Sequence, residues 1–211
     1  MLHAVVVLGL ERLRGFIITA ALRNYLSPVL ETPVLLNCWR HNLACAILSE
    51  TLAGPYFLPK DPCYTAGLLH DVGRLALLSA YPSDYAGMLN LVEQYRGEVR
   101  EWERGVFGLD HCEAGELLVR EWGLPEEFAH IAAHHHEPPA SGKADKAAIV
   151  HLGCQAADAL GFAVTTSGEA PSWQGIEAAL PRGILHRFGS EADLRMNVAD
   201  RINALECSLI R

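Results

Sequence analysis

No stretch of this 211-residue chain approaches the roughly 20 consecutive apolar residues that a membrane-spanning helix needs. The short apolar run from Ala4 to Leu8 is followed at once by Glu11, Arg12 and Arg14, with neither a basic leader nor a small-residue cleavage site, so the start does not read as a signal peptide. A basic stripe is also missing. Lys and Arg number 17 against 25 Asp and Glu, a net charge of −8, which argues against a nucleic-acid binder. The six cysteines (Cys38, Cys45, Cys63, Cys112, Cys154, Cys207) include no CxxC pair and no framework-like spacing. Most have apolar neighbours, and they read as reduced, buried thiols in a cytoplasmic protein. Strand-like alternation is rare, and no internal repeat stands out.

What remains is helical. Half of the residues are apolar and a fifth are charged, which suits a compact globular chain with a substantial core. Apolar residues recur at three- and four-residue spacing, predicting helices at about 4–26, 33–53, 61–80, 82–96, 109–122, 125–135, 143–161, 173–187 and 190–207. The punctuation agrees: Pro33, Pro62, Pro82 and Pro125 sit at helix starts, Asp110 is a good cap, and Gly54 and Gly123 are good stops. The expected architecture is an all-α helical bundle over residues 1–164 with a C-terminal helical extension, 165–211, packed on it. Trp102 and Trp122 read as core aromatics, and Pro138 to Gly142 as a connecting loop.

Within this scaffold, Gly67-Leu68-Leu69-His70-Asp71-Val72-Gly73-Arg74 places two ionisable groups inside an apolar run. Buried polar groups are costly unless compensated, and a cation compensates both at once by taking an imidazole nitrogen and a carboxylate oxygen. The same dipeptide also fits a purely structural role, with His70 bonded to a neighbouring backbone group and Asp71 paired with Arg74 three positions on. Gly67 and Gly73 leave room for other helices to approach closely. Further histidines, His41, His111 and the run His134-His135-His136, fall in other predicted helices, so the chain reads as a scaffold gathering imidazoles around one or two ions. His130 and His134 share a helix face and suit a surface or packing role. His151, one turn before Cys154, faces the proposed site, while His3 and His186 look incidental.

Three blocks resemble the HD superfamily and, within it, the HDOD domain: Cys38 to Ala44, Tyr64 to Leu75, and a segment from Glu103 through His111 and Trp122-Gly123-Leu124-Pro125 to Glu137. The likeness covers about residues 1–161. It implies His41, His70 and Asp71 as ligands of a first metal, with His111, His135 and His136 at positions that hold a second in related HD-GYP phosphodiesterases. It also implies a later helical aspartate, where this chain has Cys154, with Asp158 one turn on and able to substitute if the helix shifts. Asp71 and Arg74 fall at catalytic positions, Arg74 replacing a common lysine. The GYP motif is absent, Pro138-Pro139 following His136-Glu137. A further N-terminal helical half, usual in the family, is expected to be missing, and a homodimer would cover the apolar surface this bares on helix 4–26.

An intact site would use one or two divalent transition ions (iron, manganese, nickel or zinc) to hold a phosphate ester and stabilise charge building on phosphorus. Cysteine in place of aspartate weakens such a site for hard cations and favours zinc. The resemblance and its departures imply an HDOD-type bacterial signal-transduction module with a partly degenerate metal site, acting through a signalling partner. The alternative is an active phosphohydrolase acting on a nucleotide or cyclic dinucleotide.

Overall fold

The computed structural model describes residues 10–28, 30, 32–137, 144–165, 171–180 and 190–209; these form an all-α bundle, with no strand among the described residues. The expected first turns before residue 10, the loop at 138–142, the helix beyond 180, His3 and His186 lie outside the described residues. In chain order the helices are α1 (Leu10–Leu26), α2 (Pro33–Ala53), α3 (Lys60–Leu69), α4 (Val72–Ala80), α5 (Pro82–Tyr95), α6 (Val99–Phe107), α7 (His111–Glu121), α8 (Glu126–His134), α9 (Lys146–Ala157), α10 (Trp173–Ala179) and α11 (Glu191–Leu209).

α2 is the spine. It is apolar on nearly every face, and Leu35, Trp39, Leu43, Ile47 and Leu48 are fully buried, as expected of a helix surrounded by others. α3 and α9 pack on it, and α7 packs on α4 and α8. Two glycines set these approaches. A methyl group at Gly67 would lie 2.8 Å from the Cys45 carbonyl oxygen and 2.9 Å from Ala46 Cα, so α3 lies directly against the α2 backbone. A methyl group at Gly73 would lie 2.0 Å from the His111 carbonyl oxygen and 2.4 Å from the Gly115 nitrogen, so α4 and α7 meet backbone to backbone. The room that the sequence offered at these two positions is used by the helices that carry His41 and His111.

The helix expected at 61–80 is two helices. The break falls at His70-Asp71, where Asp71 has φ −114° and ψ 27°. Carbonyls left open at the end of α3 find buried partners: Asn42 Nδ2 of α2 donates to Leu68 O at 3.1 Å, and His70 Nδ1 donates to Gly67 O at 2.6 Å. Helix α6 is absent from the sequence-based expectation. Glu98 caps its start, its side chain accepting from Glu101 N at 3.0 Å, and Gly108 at φ 81° ends it. Asp110 caps α7 in a reciprocal box with Glu113, which fixes His111 as the first helical residue. After α9 the chain makes one π turn, Asp158–Phe162, ended by Gly161 at φ 87°.

The last helix, α11, lies against α2 and is tied to it by Arg40–Glu206 at 2.7 Å and by Arg201–Glu50. These pairs are half exposed and add at most about 1 kcal/mol each; the buried Leu194, Val198 and Ile202 anchor the helix. Trp122 is a correction: it follows the last residue of α7 and lies 46% exposed on the surface. α1 leaves Phe16, Ile17 and Tyr25 exposed. All six cysteines are free; Cys207 is exposed. No helix among the described residues is long and apolar enough to cross a membrane.

Candidate metal centre

One pocket of about 140 Å³ is lined by His41, His70, Asp71, Arg74, His111, His135, His136, Cys154 and Asp158, together with Glu98, Val99, Val164 and Thr165. Every site residue expected from the sequence therefore reaches the same place. The rings are close: His41 to His70 is 5.3 Å between centroids, His70 to His135 is 4.9 Å, and His111 to His136 is 5.0 Å.

The hydrogen bonds decide which face of each ring is available. His41 Nδ1 donates to the Phe162 carbonyl at 3.1 Å, His70 Nδ1 to Gly67 O at 2.6 Å, and His135 Nδ1 to Ala132 O at 2.9 Å. His111 Nδ1 donates to Glu103 Oε2 at 2.5 Å, and its backbone N–H donates to the same oxygen at 2.9 Å. Four imidazoles thus carry their proton on Nδ1 and keep Nε2 as a lone-pair nitrogen, the form in which histidine binds metals. Glu103, fully buried on α6, also accepts from Tyr85 Oη.

The protonation energetics agree with this arrangement. Burial pushes the His70 pKa down to about 3. Burial also drives His111 and His135 well below the usual histidine value, reinforced by Arg74 for His111 and by His136 for His135. Burial alone would raise Asp71; the Arg74 guanidinium first, then His111, His70 and His41, overcome it and hold the carboxyl below its ordinary range.

The two sequence readings of the His-Asp doublet both occur. His70 does bond a backbone carbonyl, and Arg74 Nε does bond Asp71 Oδ2 at 2.6 Å. These contacts use Nδ1 and Oδ2 only. The other two atoms, His70 Nε2 and Asp71 Oδ1, are buried without a partner. Orphaned polar atoms of this kind are costly, and a cation with an open coordination sphere satisfies a lone-pair nitrogen and a carboxylate oxygen together. The donor set therefore fits a divalent ion. Arg74 Nη2 also lies 3.3 Å from His111 Nε2, and His136 Nε2 lies 2.8 Å from the same nitrogen.

Ligand atoms fall into two groups, each mutually within 4.8 Å: His41, His70 and Cys154, and His111, Cys112, His135 and His136. Cys154 Sγ is 3.6 Å from His41 Nε2. Asp158 instead sits beside the other nitrogen of that ring, its Oδ1 3.5 Å from His41 Nδ1. His151 does not line the pocket. It donates through Nδ1 to the His135 carbonyl at 2.8 Å, steadying the backbone that carries His135. His134 bonds the His130 carbonyl on the surface. Glu103 has a positioning role that the sequence did not announce, because Arg100, Glu101 and Arg104 around it make the segment read as solvated.

The profile of the HDOD domain matches residues 1–138. An uncharacterised protein of Treponema pallidum (strain Nichols) is 28% identical over 138 residues, 63% of this chain; the chain spans only 24% of that relative's length. An HDOD domain protein of unknown function from Geobacter sulfurreducens superposes with a TM-score of 0.67 at 25% identity, covering 98% of this chain and 72% of that one. A candidate phosphohydrolase from Shewanella amazonensis SB2B gives 0.63 at 19% identity, covering 93% and 71%. A candidate signal transduction protein from Marinobacter aquaeolei VT8 gives 0.58 at 18% identity, covering 83% and 39%; these last two likenesses are of fold alone.

Proposed function

We propose a function from an established premise: the chain belongs to the HDOD family, whose domain profile spans residues 1–138. The proposed role is a regulatory module of bacterial signal transduction whose HD-type pocket holds a divalent transition ion and turns over phosphate esters slowly or not at all. The observation that carries it is the division of labour at the His-Asp doublet. His70 Nε2 and Asp71 Oδ1 are buried and bare, ready for a cation, while Asp71 Oδ2 is committed to Arg74 at 2.6 Å.

The residues proposed to hold the ion are His41, His70 and Asp71, with His111, His135 and His136 on the far side of the pocket. When bound, the ion supplies Lewis acidity and positive charge to a phosphate ester. Glu103 holds the His111 ring by its Nδ1 proton, and Phe162 O does the same for His41. Arg74 is the reason to expect poor turnover. Its guanidinium bridges Asp71 and His111, the space a second ion would need, and two like charges there repel strongly in a buried setting. Cysteine at 154, where the family resemblance calls for a carboxylate, removes a hard oxygen donor as well.

The phosphohydrolase reading keeps one specific support: His41, His70, His111, His135, His136 and Asp71 still line one pocket, with Arg74 able to contact a phosphate oxygen. Metal analysis of protein purified without chelator separates the possibilities from a metal-free fold; a transition-metal content far below one equivalent counts against the proposal. Hydrolysis of bis-p-nitrophenyl phosphate above background, abolished in His70→Ala, moves the assignment to the enzyme. Recovery of a kinase or receiver-type partner supports the signalling role.

A further inference from the structure

We infer that Cys154 binds the ion as a thiolate, so that the first site is a nitrogen–sulfur site built for a zinc-like cation rather than an oxygen-rich site for manganese or magnesium. This rests on the proposed metal-binding reading and adds the chemical class of ion that the pocket selects. Cys154 joins His41, His70 and Asp71 of the proposed reading; the donor atoms of His41, His70 and Cys154 lie within 4.8 Å of one another.

Three observations lead there. First, the spacing is right. Two ligands on a tetrahedral zinc, with Zn–S about 2.3 Å and Zn–N about 2.0 Å, stand about 3.5 Å apart; Cys154 Sγ and His41 Nε2 are 3.6 Å apart. Second, both rings are pre-set. His41 Nδ1 donates to Phe162 O and His70 Nδ1 to Gly67 O, leaving Nε2 the lone-pair nitrogen on each; His41 Nε2 meets Cys154 Sγ alone and His70 Nε2 has no partner. Third, the carboxylate that could have replaced sulfur is on the wrong side of the ring. Asp158 Oδ1 lies 3.5 Å from His41 Nδ1, the nitrogen turned to Phe162 O, while Cys154 meets Nε2. The π turn that carries Asp158 and Phe162 braces the back of His41 and leaves Cys154, one turn earlier, at its front. Asp158 is thus a positioning residue for His41.

Binding is balanced simply. The Cys154 S–H bond breaks, its proton passes to solvent, and the sulfur lone pair forms the bond to the ion; no oxidant or reductant takes part. Without the ion, the same spacing is kept by an S–H···N contact to His41.

The test uses cobalt(II) as a spectroscopic stand-in for zinc, on the full chain carrying Cys207→Ser to remove the exposed thiol. The expected result is a near-ultraviolet sulfur-to-cobalt charge-transfer band that saturates at one equivalent, is displaced by zinc, and is lost in Cys154→Ser although cobalt still binds. Zinc affinity of Cys154→Ser should fall at least about tenfold, the loss seen when even an outer-sphere partner is removed, while manganese affinity changes little. Cobalt binding without the band overturns the thiolate but leaves the metal pocket standing. A band that survives Cys154→Ser and vanishes in Cys112→Ser also overturns it, because the sulfur then belongs to the His111 group. No cobalt or zinc binding at all removes the inference together with the metal-binding reading. Circular dichroism of Cys154→Ser matching the parent shows that the substitution acts at the site and not on the fold.

Discussion

Substituting Gly73 by alanine tests how the pocket is held together. A β-carbon there would lie 2.0 Å from His111 O, 2.4 Å from Gly115 N and 3.0 Å from Gly115 Cα, all backbone atoms that no rotamer change can move aside. Raising the shortest of these to the closest distance real side chains show, 3.0 Å, requires α4 and α7 to part by about 1 Å. Overpacking of this kind costs about 1–3 kcal/mol, and rigid backbone on both sides argues for the upper end. The helical gain of alanine over glycine returns only about 0.5–1 kcal/mol. The net loss is about 2–2.5 kcal/mol, or a fall of about 4–10 °C in Tm for a chain of this size. Gly87→Ala is the control, since Gly87 lies in α5 with nothing within 4 Å of an added methyl group. It should melt about 1–4 °C higher than the parent. Calorimetry or thermal circular dichroism reads both. A Gly73→Ala protein that melts with the parent or above it refutes the backbone-to-backbone packing of α4 on α7, and with it the placement of His111 opposite Asp71.

Metal-free protein should lose stability steeply in mild acid. His70, His111 and His135 stay neutral when folded, with His70 at about 3, but titrate near 6.5 when unfolded. Below about pH 6.5 the unfolded chain therefore binds more protons, so stability is complete above that pH and falls as the pH drops toward 3, by up to about 1.4 kcal/mol per ring per pH unit; urea midpoints unchanged from pH 7 to 5 contradict this. Arg74→Ala leaves Asp71 buried without its cation and should cost about 3–5 kcal/mol without metal, and added zinc should raise its Tm more than the parent's. Glu103→Ala strands Tyr85 Oη, the His111 backbone N–H and His111 Nδ1–H, so urea unfolding should show it about 2 kcal/mol or more below Glu103→Gln, which can still accept.

His70 and Asp71 were legible because they interrupt an apolar, helically periodic segment where a polar group demands compensation. His41, His111, His135 and His136 were legible from their places in other predicted helices and from the family resemblance, and all six residues line one cavity. The helix starts at Pro33 and after Asp110 were legible from proline and capping signals, whereas α3 begins at Lys60, so that Asp61 and Pro62 lie inside its first turn. The break at His70-Asp71 was hidden, since neither proline nor glycine marks it and the apolar period runs straight across. It is sustained by a residue distant in sequence, Asn42, which satisfies Leu68 O. Helix α6 escaped because its deepest residue is the charged Glu103, so hydropathy points the wrong way; Gly97, Glu98 and Gly108 were the available boundary signals. The split of each ligand into an occupied and a bare atom is a matter of geometry that no spacing rule conveys.

The interruption between α3 and α4 gives the cavity an articulated floor. On one side, α2, α3 and α9 form a sheaf bearing His41, His70 and Cys154; on the other, α4, α7 and α8 form a second bearing His111 and leading into His135 and His136. Along the chain between α3 and α4 these sheaves are joined by two residues, His70 and Asp71, of which Asp71 alone leaves helical torsions. Packing of α4 on α2 and of α8 on α3 ties the two sheaves together across the gap, and the carboxylate that faces it rides on the bend itself.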